Sequence, residues 1–67
     1  MKAVSAFVGL GANLGDTRAT VEAALQALGA LPGTRLAERS SLFRSAPVDA
    51  GGDDYVNAVA RIETTLP

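Results

Sequence analysis

The residues that most restrict the fold are Val21, Ala24, Leu25 and Leu28, which recur at i, i+3, i+4 and i+7 and so line one side of a helix. Arg18, Glu22 and Gln26 fall on the opposite side, where charge and amide groups meet water. Asp16 or Thr17 supplies the side-chain oxygen that caps the first turn. Gly29 is expected just after the helix end, and Pro32-Gly33 stops any continuation. The pattern predicts one amphipathic helix of about three turns, whose apolar stripe needs a partner surface.

The flanking segments read as strands. Ala3 to Leu10 is a nearly continuous apolar run closed by glycine, which predicts a strand buried on both faces, followed by a turn from Gly11 to Gly15. Leu36 to Phe43 alternates loosely, with Leu36, Glu38, Ser40 and Leu42 on one side and Ala37, Arg39, Ser41 and Phe43 on the other. Val48 to Asp54 is a loop by its glycines and aspartates. Tyr55 to Thr64 alternates better: Val56, Ala58, Ala60 and Ile62 face one way, and Tyr55, Asn57, Val59, Arg61 and Glu63 the other. The order β-α-β-β is half of a ferredoxin-like α+β sandwich, so residues 1–67 are expected to form a single partial domain.

Length limits what these elements can do alone. A core in a chain of 67 residues rarely contributes more than about 3–5 kcal/mol, and there is no cysteine for a disulfide. An oligomer, an unusually well-packed small domain or a part of something longer is expected, with self-association possible if 67 residues are the natural chain. Six basic and seven acidic residues are scattered singly, which argues against nucleic acid as a ligand. No stretch approaches the roughly 18 apolar residues that span a bilayer, so no membrane partner and a cytoplasmic location are expected.

Several motifs carry possible chemistry. The turn Gly9-Leu10-Gly11-Ala12-Asn13-Leu14-Gly15 matches neither the dinucleotide fingerprint nor the phosphate loop, and it contains no lysine. A dinucleotide site would also need an acidic residue near Gly33-Thr34-Arg35, where there is none. The glycines either permit tight packing between strand and helix, or leave Asn13 aimed at a ligand. In Ser45-Ala46-Pro47-Val48 the proline holds its predecessor extended, which frees backbone groups to pair with a flat heterocycle or simply ends a strand. Tyr55 and Asn57 share a face by their spacing, setting an aromatic ring beside an amide that both donates and accepts.

The charged residues read more simply. Asp49, Asp53 and Asp54 match no calcium-loop spacing and are expected to form a solvated acidic loop. Arg39, Arg44 and Arg61 are either solvated charges on half-exposed strands or phosphate clamps. With no histidine in the chain, neither imidazole base chemistry nor a serine–histidine nucleophile is available within it.

Taken in order, G-L-G-A-N-L-G-D, the amphipathic helix, S-S-L-F-R-S-A-P-V, D-Y-V-N-A-V and I-E-T resemble the 6-hydroxymethyl-7,8-dihydropterin pyrophosphokinase family over essentially all 67 residues. The resemblance implies a ferredoxin-like α+β fold and transfer of pyrophosphate from ATP to the hydroxymethyl group of the pterin, in folate synthesis, with Mg²⁺. It implies pterin contacts from the loop backbone at Ser45, Ala46 and Val48 and from the side chains of Tyr55 and Asn57. The family usually has Thr-Pro where Ser45-Ala46 stands here and often Gly at Asp49, and the loop from Asp49 to Tyr55 is short.

In the family, the triphosphate-handling arginines and the Asp-x-Asp pair for magnesium follow the position of Pro67. Phosphoryl transfer rests on positioning and charge neutralisation by such groups, so the catalytic residues are expected beyond Pro67 and these residues alone are expected to be inactive. Two other readings stay open: a small non-catalytic ligand-binding or dimerising module, and, more weakly, a fragment that binds NAD.

Overall fold

The computed structural model describes residues 2–47 and 52–66. Its elements are strand β1 (Val4–Ala12), helix α1 (Thr17–Ala30), strands β2 (Thr34–Arg39) and β3 (Phe43–Ser45), and strand β4 (Tyr55–Thr64). The chain is α+β, with a four-stranded antiparallel sheet and one helix. β4 is central: β1 pairs along one side of it from Val4↔Thr64 to Ala12↔Val56, while β2 and then β3 pair along the other. β1 and β2 both oppose β4 and so run parallel to each other, with α1 as the crossover between them.

The helix stripe and the period-two face of β4 find each other. Val21 and Leu25, each 1% exposed, pack against Val56, Ala58 and Ala60, and Leu10, Ala12, Leu28, Leu36 and Leu42 close the margins. Burying each large apolar side chain contributes about 1.5–3 kcal/mol. Alanines at the middle of β4 let the helix lie close to the sheet. Asp16 is the cap: its Oδ1 accepts from the Ala19 amide at 3.1 Å, and its carbonyl accepts from Thr20 N at 3.0 Å.

Four expectations are corrected. The helix runs through Gly29 to Ala30 rather than ending before Gly29, which lies over Leu36 of β2, where an added Cβ would be in ordinary contact with Leu36 Cβ at 3.4 Å. The left-handed turn falls instead at Gly33, φ 69°, whose carbonyl accepts from Thr65 N at 2.9 Å. β1 continues through Gly11 and Ala12 rather than turning at Gly11, since both pair with β4. It is also covered on one face only: Phe7 is 76% exposed on the face turned away from α1.

The fourth correction concerns the third segment, which is two strands rather than one, so the order is β-α-β-β-β. A bulge between Leu36 and Glu38 shifts the register, placing Glu38 opposite Arg61 on the open face and Arg39 opposite Ala60 on the helix face. Ser40 then breaks the ladder. Its backbone N–H donates to Val59 O and its Oγ accepts from Val59 N, both at 2.8 Å.

Arg39 in turn reaches Glu22 with a two-pronged contact of 2.7 and 3.1 Å, so Glu22 is a partner of the sheet rather than a purely solvated residue. Among the described residues, no helix is long and apolar enough to cross a membrane.

Candidate functional site

The open face of the sheet gathers the polar residues at the end where β1, β4 and β3 meet. The register sets Gly11, Asn57 and Phe43 in one row, and Tyr55 and Ser45 in the next. Because Val56 and Ala58 point into the core, Tyr55 and Asn57 point out. The Asn57 carboxamide donates from Nδ2 to Ser45 Oγ at 2.7 Å and to the Phe43 carbonyl at 3.4 Å.

Gly11 completes the arrangement by having no side chain. A Cβ there would stand 2.8 Å from Asn57 Oδ1 and 3.7 Å from Tyr55 Cδ2. Amide and phenol ring therefore lie together over bare backbone. Such a floor, with an aromatic edge and a fixed amide beside it, can take a flat polar heterocycle.

A sequence model of the 7,8-dihydro-6-hydroxymethylpterin-pyrophosphokinase (HPPK) family matches residues 7–67. The chain belongs to the HPPK family. It is 42% identical over 94% of its length to the 2-amino-4-hydroxy-6-hydroxymethyldihydropteridine pyrophosphokinase of Haemophilus influenzae, covering 40% of that protein. It is 40% identical over 91% of its length to the protein of that name from Methylorubrum extorquens, covering 39% of it. The Pseudomonas putida protein of that name is also 40% identical, over 94% of this chain and 52% of its own. The chain thus spans between two fifths and about half of the length of these relatives.

In this HPPK chain, three of the five residues singled out from sequence, Ser45, Tyr55 and Asn57, come together on the open face. Ala46 follows directly after β3 and is exposed. Val48 lies outside the described residues, as does Asp49. Sequence reasoning missed Gly11 and Phe43. The signal for Gly11 was the second glycine of the turn motif, but its partner across the sheet is fixed by register alone.

The arginines divide. Arg61 donates from Nε to Glu38 at 2.8 Å and from a terminal nitrogen to Glu63 at 3.2 Å, and Arg35 meets Glu63 at 2.6 Å. The Glu38 and Glu63 carboxylates raise the Arg61 pKa, and the Arg35 and Arg61 guanidiniums lower that of Glu63. Likewise Arg39 lowers Glu22, and Glu22 raises Arg39. Arg39 and Arg61 are thus each paired with carboxylates.

Arg44 forms no ion pair among the described residues. With Arg18, Asp16 and Thr17 it lines a cleft of about 210 Å³ at the start of α1. A second cleft of about 490 Å³ beside it is lined by Asn13, Arg44, Asp53 and Asp54, among others. Among the described residues, no three histidine, cysteine, aspartate or glutamate side chains converge to hold a metal ion.

Proposed function

We propose that these residues are the pterin-binding part of a pyrophosphokinase that transfers pyrophosphate from ATP to 6-hydroxymethyl-7,8-dihydropterin in folate biosynthesis. The β-α-β pattern around a central antiparallel β4 supports a ferredoxin-like sandwich, of which this chain supplies a portion as one partial domain. Family membership supports the reaction. The observation that carries the pterin side is the Asn57 carboxamide, held over Gly11 by Ser45 and the Phe43 carbonyl with Tyr55 alongside.

In this reading Ser45, Ala46 and Val48 offer backbone to the ring, and Tyr55 and Asn57 offer side chains. ATP is the co-substrate and Mg²⁺ its metal in this reading, as family membership implies. The 67 residues alone carry no transfer, because that chemistry needs cationic and metal groups around the phosphates. The cytoplasm is the proposed location.

In the protein at its natural length, Asn57→Ala is expected to raise the pterin Kd at least about tenfold, through loss of the amide hydrogen bonds and the fixed geometry they impose. An unchanged Kd would overturn this placement of the site.

A second reading is a non-catalytic module that associates with a copy of itself, favoured by the exposure of Phe7, Phe43 and Val59 on one face. Sedimentation separates the two. A tight dimer that binds no pterin supports the module, and a pterin-binding monomer excludes it.

A further inference from the structure

Ser40 exchanges hydrogen bonds with Val59 in a way that a strand residue ordinarily does through its backbone alone. Its N–H donates to Val59 O at 2.8 Å, as in a ladder, but the Val59 N–H donates at 2.8 Å to Ser40 Oγ in place of the Ser40 carbonyl. An N–H can only donate, so the hydroxyl oxygen is the acceptor, and its own hydrogen goes to the Ser41 carbonyl at 2.8 Å. The displaced Ser40 carbonyl accepts from Arg39 Nε at 3.0 Å. Past this point the chain gains one residue on its partner: Arg39 to Phe43 is four steps, while Ala60 to Asn57, the residues opposite them, is three.

That extra residue decides which side chains of β3 stand on the open face. With the Ser40 carbonyl on Val59 N, the pairing of Arg39 with Ala60 would run on unshifted and set Leu42 opposite Asn57, Phe43 opposite Val56 and Arg44 opposite Tyr55. A slip of one residue sends every side chain to the other face, so Leu42 and Arg44 would face out and Phe43 would turn towards α1. Leu42 now closes the margin of the core, and Phe43 is an apolar residue able to do the same, so burial separates the two registers only weakly. We propose that Ser40 is a positioning residue: its hydroxyl takes the place of its own carbonyl at Val59 and holds β3 one residue out of step with β2, which is what sets Phe43 and Ser45 beside Asn57 and Tyr55. The inference concerns register alone and is independent of what the open face binds.

The register has a direct spectroscopic signature. Val59 directs both its N–H and its C=O at Ser40, and such rows alternate along a strand, so Val56 and Arg44 form a pair without mutual hydrogen bonds, their Cα atoms about 4.5 Å apart. An Hα–Hα NOE between Arg44 and Val56 therefore reports the observed register, and one between Phe43 and Val56 reports the unshifted one. The test measures both in the protein at its natural length, without ligand, as wild type, Ser40→Ala and Ser40→Thr. Ser40→Ala is expected to raise the intensity of the Phe43 signal relative to the Arg44 signal at least about fivefold, the worth of one neutral hydrogen bond. Ser40→Thr keeps a hydroxyl and is expected to give the wild-type ratio.

An unchanged ratio in Ser40→Ala overturns the proposal, even if the variant is less stable, because a merely structural hydroxyl would lower stability without moving β3. A Ser40→Ala protein that does not fold overturns it too, since the carbonyl of residue 40 is on hand to take the Val59 N–H and keep the sheet intact. A shifted ratio that Ser40→Thr fails to restore removes the hydroxyl as the cause. Pterin binding enters none of these outcomes, so failure of the pterin reading leaves the register test standing.

Discussion

Gly11→Ala separates the site from the fold. The backbone at Gly11 is not left-handed, so alanine fits the strand there without strain. Its Cβ, however, would arrive 2.8 Å from Asn57 Oδ1, where ordinary contact begins at 3.4 Å. The amide must retreat by about 0.6 Å or rotate away. Retreat takes Nδ2 from the Phe43 carbonyl, already 3.4 Å away, and lengthens the 2.7 Å bond to Ser45. One hydrogen bond of about 0.5–1.5 kcal/mol is then lost or weakened. Against this, removing a glycine from a strand stabilises the folded state by about 0.4–1 kcal/mol through the unfolded chain.

The two effects nearly cancel in stability but not in binding. Gly11→Ala is expected to change Tm by no more than about 9 °C, while the pterin Kd rises about five- to tenfold as the amide leaves its position. Gly9→Ala is the control. It lies one step along the same face with nothing within 4 Å of the added methyl, so it should stabilise slightly and leave Kd alone. Calorimetric titration and thermal melting of both variants decide the matter. Equal weakening of binding by both, or an unaltered Kd in Gly11→Ala, would refute the geometry argued for Asn57.

Two further outcomes follow from the packing and the charges. Leu25→Ala removes a side chain that is 1% exposed and sits between α1 and β4, and should cost about 2–5 kcal/mol by denaturant titration; a loss under about 1 kcal/mol would mean that α1 does not hold this core. Glu63, its pKa lowered by Arg35 and then Arg61, stabilises the fold fully above its unfolded pKa of about 4.3 and loses that contribution as pH falls through its lower folded value. Denaturant midpoints of wild type and Glu63→Gln should therefore differ above about pH 5 and converge in acid, and parallel curves would rule out the pairing.

How far all this was readable from the chain depends on the range of the interactions. The face of β4 was legible because a period of two is a local property: Val56, Ala58, Ala60 and Ile62 announce a buried side whatever they pack against. The α1 stripe and the Asp16 cap were legible for the same reason. The break in the third segment was not. Leu36 to Phe43 alternates passably, and only the bulge between Leu36 and Glu38, together with Ser40 bonding to Val59 in place of a ladder partner, divides it. Nor does an apolar run reveal how many of its faces are covered, which is why Phe7 is exposed in a strand expected to be buried.

The site divides along the same line. Tyr55 and Asn57 share a face by spacing, and Ser45 stood two residues before Pro47, which marked the loop. What makes these residues a site is the cross-strand register, which brings Gly11 beneath Asn57 and sets the Phe43 carbonyl and Ser45 hydroxyl at its amide. A glycine in a turn motif has several possible uses, and the choice among them is made by the residue that pairs opposite. At Gly11 that residue is an asparagine whose oxygen occupies the space a methyl would fill. Gly29, inside a helix, faces Leu36, where an added methyl would make only ordinary contact at 3.4 Å. The same residue type thus belongs to the site in one place and to the scaffold in the other, and the difference lies wholly in the partner that the fold sets against it.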